Sequence, residues 1–153
     1  MSQKQRNYVP SDGYSIPGFI DERDGIIEAV RFVYRPISAD MQSSFNASLA
    51  LLQDTPNNPA NFRKRAEIVK GRLVSWDVKD DKGAVLPITT AEVRKLSPEL
   101  FWKLFGIVFG TIPTDIDPQW ADEQQEEESR LAADAAQEGV TVGAVREAAD
   151  EKN

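Results

Sequence analysis

The chain has 153 residues, of which 41% are hydrophobic and 28% charged, and its formal net charge at pH 7 is −7. These values are typical of a soluble protein with one core-forming domain. It contains neither cysteine nor histidine, which excludes disulfides, thiolate chemistry, the usual catalytic triads and the best zinc ligands. It has no glycine-rich nucleotide motif either. We therefore predict a non-enzymatic protein with no catalytic, cofactor or metal site.

Charge is distributed unevenly along the chain. Residues 115–153 have a net charge of −9, whereas residues 1–114 have a net charge of +2. The acidic balance argues against nucleic-acid binding, and no apolar run is long enough to predict a membrane span. The polar N-terminus lacks the features of a signal peptide, so we expect a cytoplasmic protein. We predict a disordered arm over 1–13, a globular domain over 14–112 and an acidic tail over 113–153.

The first part of the globular domain predicts two extended segments. Residues 14–20 are apolar but interrupted by proline and glycine, which indicates an arm or an edge strand. Residues 21–25 (DERDG) indicate a turn. Residues 26–35 are rich in β-branched and aromatic residues and predict a strand. The apolar face of that strand comprises Val30, Phe32 and Tyr34.

Two helices are predicted next. Ser38 is a candidate N-cap for a helix that extends to about Gln53. Its apolar stripe comprises Met41, Phe45, Leu49 and Leu52. After a loop over 54–58, Pro59 suits the first position of a second helix that extends to about Lys70. The polar face of the second helix carries Arg63, Lys64 and Arg65, which we interpret as a solvated face.

Residues 71–88 predict a β-hairpin. The segment 71–78 alternates in polarity, a DDKG turn follows it, and residues 84–88 supply the return strand. Pro87 places that return strand at a sheet edge. The acidic residues of this turn and of residues 21–25 resemble fragments of calcium loops, but neither has the full ligand spacing, so we interpret both as turns.

An apolar block, SPELFWKLFGIVFG, occupies Ser97–Gly110. A short helix is predicted just before it, because Thr89 and Glu92 have capping-box spacing. The block predicts a helix with Ser97 as its N-cap and Gly110 at its C-terminal end. Its large side chains cover nearly the whole circumference, which indicates burial on most sides.

The apolar block has two interpretations, which are compatible with each other. In the first it is the central core helix of the domain. In the second, part of it forms a groove for a partner helix. The candidate partner-binding residues are Phe101, Trp102, Phe105 and Phe109.

The residues after the apolar block predict a linker and an acidic extension. Residues 111–118 are punctuated by proline and indicate a linker. Beyond it, 119–137 is helix-forming and 140–151 predicts one more short helix. The acidic tail either is a solvated extension that aids solubility or engages a partner. The predicted class is therefore α+β: a mostly helical body with a small antiparallel sheet or hairpin, followed by an acidic helical or disordered tail.

Two features together resemble a known family. One is the strand ending in VYRP at residues 33–36, and the other is the order of elements from the strand at 71–78 to the apolar block that ends at Gly110. Over roughly residues 26–112 this pattern resembles the tail assembly chaperones of long-tailed bacteriophages. The resemblance implies a chaperone that binds the long helical tape measure protein and keeps it soluble, with tail tube subunits as a second candidate partner. It brings no catalytic residues.

The resemblance also implies that two products of different length are made by ribosomal frameshifting. The final residues, Glu151-Lys152-Asn153, can be encoded by a slippery heptamer. The alternative function is a structural phage component, such as a head–tail adaptor. An enzyme is the third class, with carboxylates such as Asp77 and Glu92 as its candidates.

Overall fold

The computed structural model describes residues 14–138. The predicted disordered arm over 1–13 and the predicted short helix at 140–151 lie outside the described residues. In chain order the elements are β1 (Ile16–Ile20), β2 (Val30–Tyr34), α1 (Ala39–Ala50), β3 (Asp54–Thr55), β4 (Asn58–Pro59), α2 (Ala60–Arg72), β5 (Leu73–Trp76), α3 (Thr90–Arg94), α4 (Pro98–Phe109) and α5 (Pro118–Glu138). The predicted α+β class is confirmed.

The chain forms two compact units. The first, called the body here, ends at Asp117, and the second begins at Pro118 with α5. Among the residues whose burial is described, the buried apolar ones all lie in the body, between Ile16 and Phe109. The sequence predicted a domain boundary after residue 112, and the structure places this division five residues further along the chain.

A three-stranded antiparallel sheet with the order β1-β2-β5 forms one part of the body. Strand β1 lies at an edge, which is the second of the two predicted alternatives, and pairs with β2 from Ile16 opposite Tyr34 to Ile20 opposite Val30. The predicted apolar face of β2 is confirmed, because Val30, Phe32 and Tyr34 are all buried. The strand is shorter than the predicted range of 26–35, since residues 23–27 form a turn closed by an Arg23–Ile27 bridge.

The predicted hairpin over 71–88 is wrong in its main pairing. Strand β5 pairs with β2, and beyond it only an isolated bridge joins Lys79 to Val85. A bulge between Val33 and Tyr34 in the β2–β5 register breaks the predicted alternation, so that Leu73 and Trp76 are both buried. The segment after β5 is held by the Trp76 indole, whose Nε1 donates to the Leu86 carbonyl at 2.7 Å.

The helices begin close to their predicted N-caps, because a capping hydrogen bond joins residues only three positions apart. The Ser38 hydroxyl accepts a hydrogen bond from the Met41 N–H at 3.2 Å, and the Thr89 hydroxyl accepts one from the Glu92 N–H at 3.2 Å. Helix α1 ends three residues before the predicted Gln53. Pro59 is the N-cap of α2 and not its first helical residue, and residues 54–59 form a minimal two-stranded ladder where a loop was predicted.

Residues 113–117, called the strap here, attach the end of the body to the sheet. The Thr114 hydroxyl accepts from the Phe19 N–H at 2.7 Å, and the Asp115 N–H donates to the Phe19 carbonyl at 3.0 Å. Asp117 is 2% exposed and receives two hydrogen bonds from the Arg31 guanidinium, at 2.8 and 3.2 Å. The segment predicted to be a linker therefore covers the outer edge of β1.

Candidate partner-binding site

Helix α4 is the core helix of the body. Pro98 occupies its first turn, and Gly110 ends it in the left-handed conformation, with φ of 84°. Ser97 stands at the predicted N-cap position, but its side chain makes no capping hydrogen bond. Eight of the twelve helical residues are buried: Leu100, Phe101, Leu104, Phe105, Gly106, Ile107, Val108 and Phe109. The first interpretation of the apolar block is therefore confirmed.

The structure separates the four candidate partner-binding residues into two kinds. Phe101, Phe105 and Phe109 are only 1%, 6% and 4% exposed, so in the folded body they have almost no surface to offer to a partner. Trp102 is 50% exposed. The cause is geometric, since a helix packed on most sides still has one stripe that faces solvent, and Trp102 lies on it. Trp102 alone among the four is thus accessible as an anchor.

The indole of Trp102 is held by its aromatic neighbours. Its ring meets Phe101 edge-on, with centroids 5.1 Å apart and an interplanar angle of 85°. It meets Phe105 in the same way, at 6.1 Å and 79°. Edge-to-face contacts of this kind contribute roughly 0.5–1.5 kcal/mol each beyond area burial. These contacts favour the observed orientation of the exposed ring.

Arg65 of α2 also contacts this aromatic cluster, and the sequence analysis did not identify it as a site residue. Its guanidinium carbon lies 5.6 Å from the centroid of Trp102 and 5.0 Å from that of Phe105. Its Nε donates to Asn61 Oδ1 at 2.8 Å, one helical turn earlier. The run Arg63-Lys64-Arg65 was predicted to be solvated, but Arg65 is half-buried between α2 and α4. No sequence signal distinguishes it from its two neighbours.

The other charged residues of α4 are paired within the body. Glu99 receives a hydrogen bond from Arg23 at 2.9 Å, and both side chains are exposed. Lys103 lies 3.0 Å from Asp115 Oδ1 of the strap. By contrast, no ion pair within the described part of the chain involves Arg63, Lys64 or Arg65. Of these three cations, Arg65 is the one that lies at the Trp102 ring.

Two ionisable groups of the strap region have shifted pKa values. Burial raises the pKa of Asp115, but the Asp21 N–H and the Lys103 ammonium outweigh this effect and hold the pKa below its ordinary value. The hydrogen bond with Asp117 raises the pKa of Arg31, against the opposing effect of burial. Both shifts favour the charged forms that hold the strap on the sheet.

The carboxylates considered as enzymatic candidates have structural roles. Asp77 Oδ1 accepts from the Arg31 N–H at 2.8 Å, and Glu92 of α3 lies 3.9 Å from Lys95, the C-cap of that helix. Asp80 Oδ1 accepts from the N–H groups of Lys82 and Ala84, which is turn chemistry. Within residues 14–138 no three acidic side chains group as metal ligands would, and no helix is long and apolar enough to cross a membrane.

Comparisons with known protein families, with characterised proteins and with solved structures find no match to this chain.

Proposed function

We propose that this protein is a non-enzymatic tail assembly chaperone of a long-tailed bacteriophage. In this role it binds the tape measure protein in the host cytoplasm while the tail tube forms. The observation that carries the proposal is Trp102, a half-exposed aromatic anchor with two edge-to-face ring contacts on a helix that is otherwise core. The element order over residues 26–112, which resembles that family, supports the choice of partner.

A binding role fits the chemistry of the Trp102 site. Tryptophan and arginine are the residues most often found at the energetic centre of protein interfaces. Trp102 and Arg65 supply both, 5.6 Å apart, from two helices that pack together. An anchor of this type suits a long helical client, whose apolar side chains recur at helical spacing. The charge of the acidic tail supports solubility of the complex.

The proposal is tested by co-expression of the full chain with the tape measure protein of the same phage. We expect the two to be recovered together by affinity purification, and the tape measure protein to be insoluble when expressed alone. The test variant is Trp102→Ala, which should reduce recovery of the tape measure protein. The matched control is Leu51→Ala, which removes an 86% exposed leucine elsewhere on the body and should leave recovery unchanged.

Mass spectrometry of purified phage particles separates this function from the structural alternative. A chaperone leaves the tail after assembly, so its peptides should be absent from finished particles. Stoichiometric presence in particles would instead show a structural component such as a head–tail adaptor. Failure to recover the tape measure protein under any condition would contradict the chaperone function.

A further inference from the structure

We propose that a cleft in the body, called the β2–β5 cleft here, binds an extended peptide segment of another protein through main-chain hydrogen bonds. The cleft has a volume of about 200 Å³ and is lined by residues 26–30, residues 77–79, Ser97 and Leu100. It therefore lies where the chain enters β2 and leaves β5, against the start of α4. This inference goes beyond the proposed function, because it concerns a different surface from Trp102 and a client segment that is extended and not helical.

The cleft exists because the pairing of β2 with β5 ends early. The Asp77 N–H donates to the Arg31 carbonyl at 3.0 Å, as in a regular antiparallel pair. The Arg31 N–H, however, donates at 2.8 Å to the Asp77 side chain, which takes the place of a main-chain carbonyl. Beyond these two residues no strand pairing joins the two segments in the described part of the chain. The segments therefore form the two walls of a fork.

Main-chain groups on both walls of the cleft have no partner. Lys79 forms a bridge with Val85, but the hydrogen bonds of that bridge are made by the residues on either side of Lys79, so its own N–H and C=O face the β2 side. On the other wall Ala29, two residues before Arg31, faces β5 by the alternation of an antiparallel strand. Among the described residues, nothing forms a hydrogen bond with the main chain of Ala29 or Lys79. Free N–H and C=O groups of this kind pair with an added extended peptide.

The size and the apolar part of the cleft indicate which side chain the peptide brings. Val30 and Leu100 in its lining are core residues, whereas Ile26 is 51% exposed, so apolar surface continues from the core to solvent. The volume of about 200 Å³ is below the roughly 300–1,000 Å³ of sites that enclose small molecules. The cleft therefore takes one aliphatic side chain, valine or isoleucine, of a peptide whose main chain pairs with the walls.

The test titrates the isotope-labelled full chain with two synthetic peptides of about nine residues, the length of a strand, and follows its main-chain amides by NMR. Both peptides alternate threonine with valine and carry a lysine at each end for solubility. The second has N-methylated central amides, which cannot donate hydrogen bonds. We expect the first peptide to shift the amide resonances of Ala29 and Lys79 and to slow their hydrogen exchange. The N-methylated peptide should bind at least about tenfold more weakly, because the main-chain hydrogen bonds are lost.

Variants of the protein locate the site. Ile26→Ala should weaken binding of the first peptide by about fivefold, because the peptide's valine loses apolar contact. Its matched control is Val74→Ala, which removes a 53% exposed valine of β5 outside the cleft lining and should leave binding unchanged. Ser97→Phe should abolish binding by filling the cleft, and it removes no capping hydrogen bond because the exposed Ser97 side chain makes none. Its matched control is Ser44→Phe, at an exposed serine of α1.

Four results would overturn the inference. They are no shift of the Ala29 and Lys79 amides, equal binding of the two peptides, unchanged binding in a folded Ser97→Phe variant, and a shift of the same amides with protein concentration alone, which would identify a second copy as the occupant. All but the third use only the wild-type chain, so they decide the question even if a variant fails to fold. The co-expression test of the chaperone function depends on Trp102, so each proposal can fail without the other.

Discussion

Helices α4 and α5 are stabilised in opposite ways. Helix α4 has twelve residues, too few for a stable isolated helix, and eight of them are buried in the body. Helix α5 has 21 residues, of which seven are acidic and one is basic, and Leu131 on it is exposed. Its alanine, glutamate and glutamine content gives high intrinsic helix propensity. One helix therefore depends on tertiary packing, and the other has the composition of a helix that can form without it.

The largest loss of stability is expected when a core residue of α4 is replaced. We expect Phe101→Ala to lower the free energy of unfolding by about 3–5 kcal/mol, because it leaves a cavity in a fully buried cluster. Trp102→Ala, the neighbouring residue, should cost about 1–2 kcal/mol, because half of that side chain already contacts water. Urea denaturation measures both. Equal losses would show that Trp102 belongs to the core and is not a surface anchor.

The next test concerns the end of the packed region. Arg31→Met removes the guanidinium that donates two hydrogen bonds to the buried Asp117 carboxylate, and it should destabilise the body by about 1–3 kcal/mol. Arg23→Met removes an exposed ion pair with Glu99 and is the matched control, with an expected loss under about 0.5 kcal/mol. Thermal melts of the two variants give the difference. If they melt alike, the strap is not a stabilising part of the body.

A smaller change in stability is expected when pH protonates Asp115. Since the pKa of Asp115 is lower in the folded body than in the unfolded chain, its contribution to stability is fully present above the unfolded value of about 3.9. The contribution is lost as pH falls through the folded pKa. We expect Asp115→Asn to reduce stability at pH 7, and its difference from the wild type to shrink as pH falls below the unfolded value. A constant difference across this range would show that the carboxylate charge is not responsible.

The smallest change in the free energy of unfolding is expected from removing α5. A chain that ends at Asp117 keeps every buried apolar residue of the part of the chain that the structure describes, and it should unfold within about 0.5 kcal/mol of the full chain. A chain that ends at Pro113 loses the strap contacts of Thr114, Asp115 and Asp117 and should be less stable. Comparing the two melts locates the end of the folding unit. A large loss on the first cut would contradict the division at Asp117.

Sequence reasoning succeeded where the determining interactions are local. Ser38 and Thr89 cap helices through hydrogen bonds to residues three positions later, and Gly110 ends α4 in a conformation that suits glycine. The alternation at Val30 and Phe32 correctly predicted the buried face of β2. In each case the pattern and its consequence lie within a few residues of each other.

It failed where distant segments decide the outcome. Residues 71–78 predicted a hairpin with the next segment, but β5 pairs with β2, about 40 residues earlier in the chain. The strap was predicted to be a linker, yet its partners Phe19 and Arg31 lie 95 and 86 residues away in sequence. Arg65 became a site residue because α2 packs on α4, which composition does not specify. Trp102 was therefore identified as a candidate from the sequence, but its charged neighbour Arg65 was not.

During synthesis, β1 is made long before the strap that covers its edge. Phe19 and Thr114 are 95 residues apart, so at synthesis rates of about 5–20 residues per second the edge strand waits on the order of 5–20 s for its cover. During this interval its outward backbone groups are available for incorrect pairing. Pro17 limits the exposure from the start, because it offers no N–H to an approaching strand. The edge of β1 therefore stays uncovered throughout synthesis until residue 114 has been made.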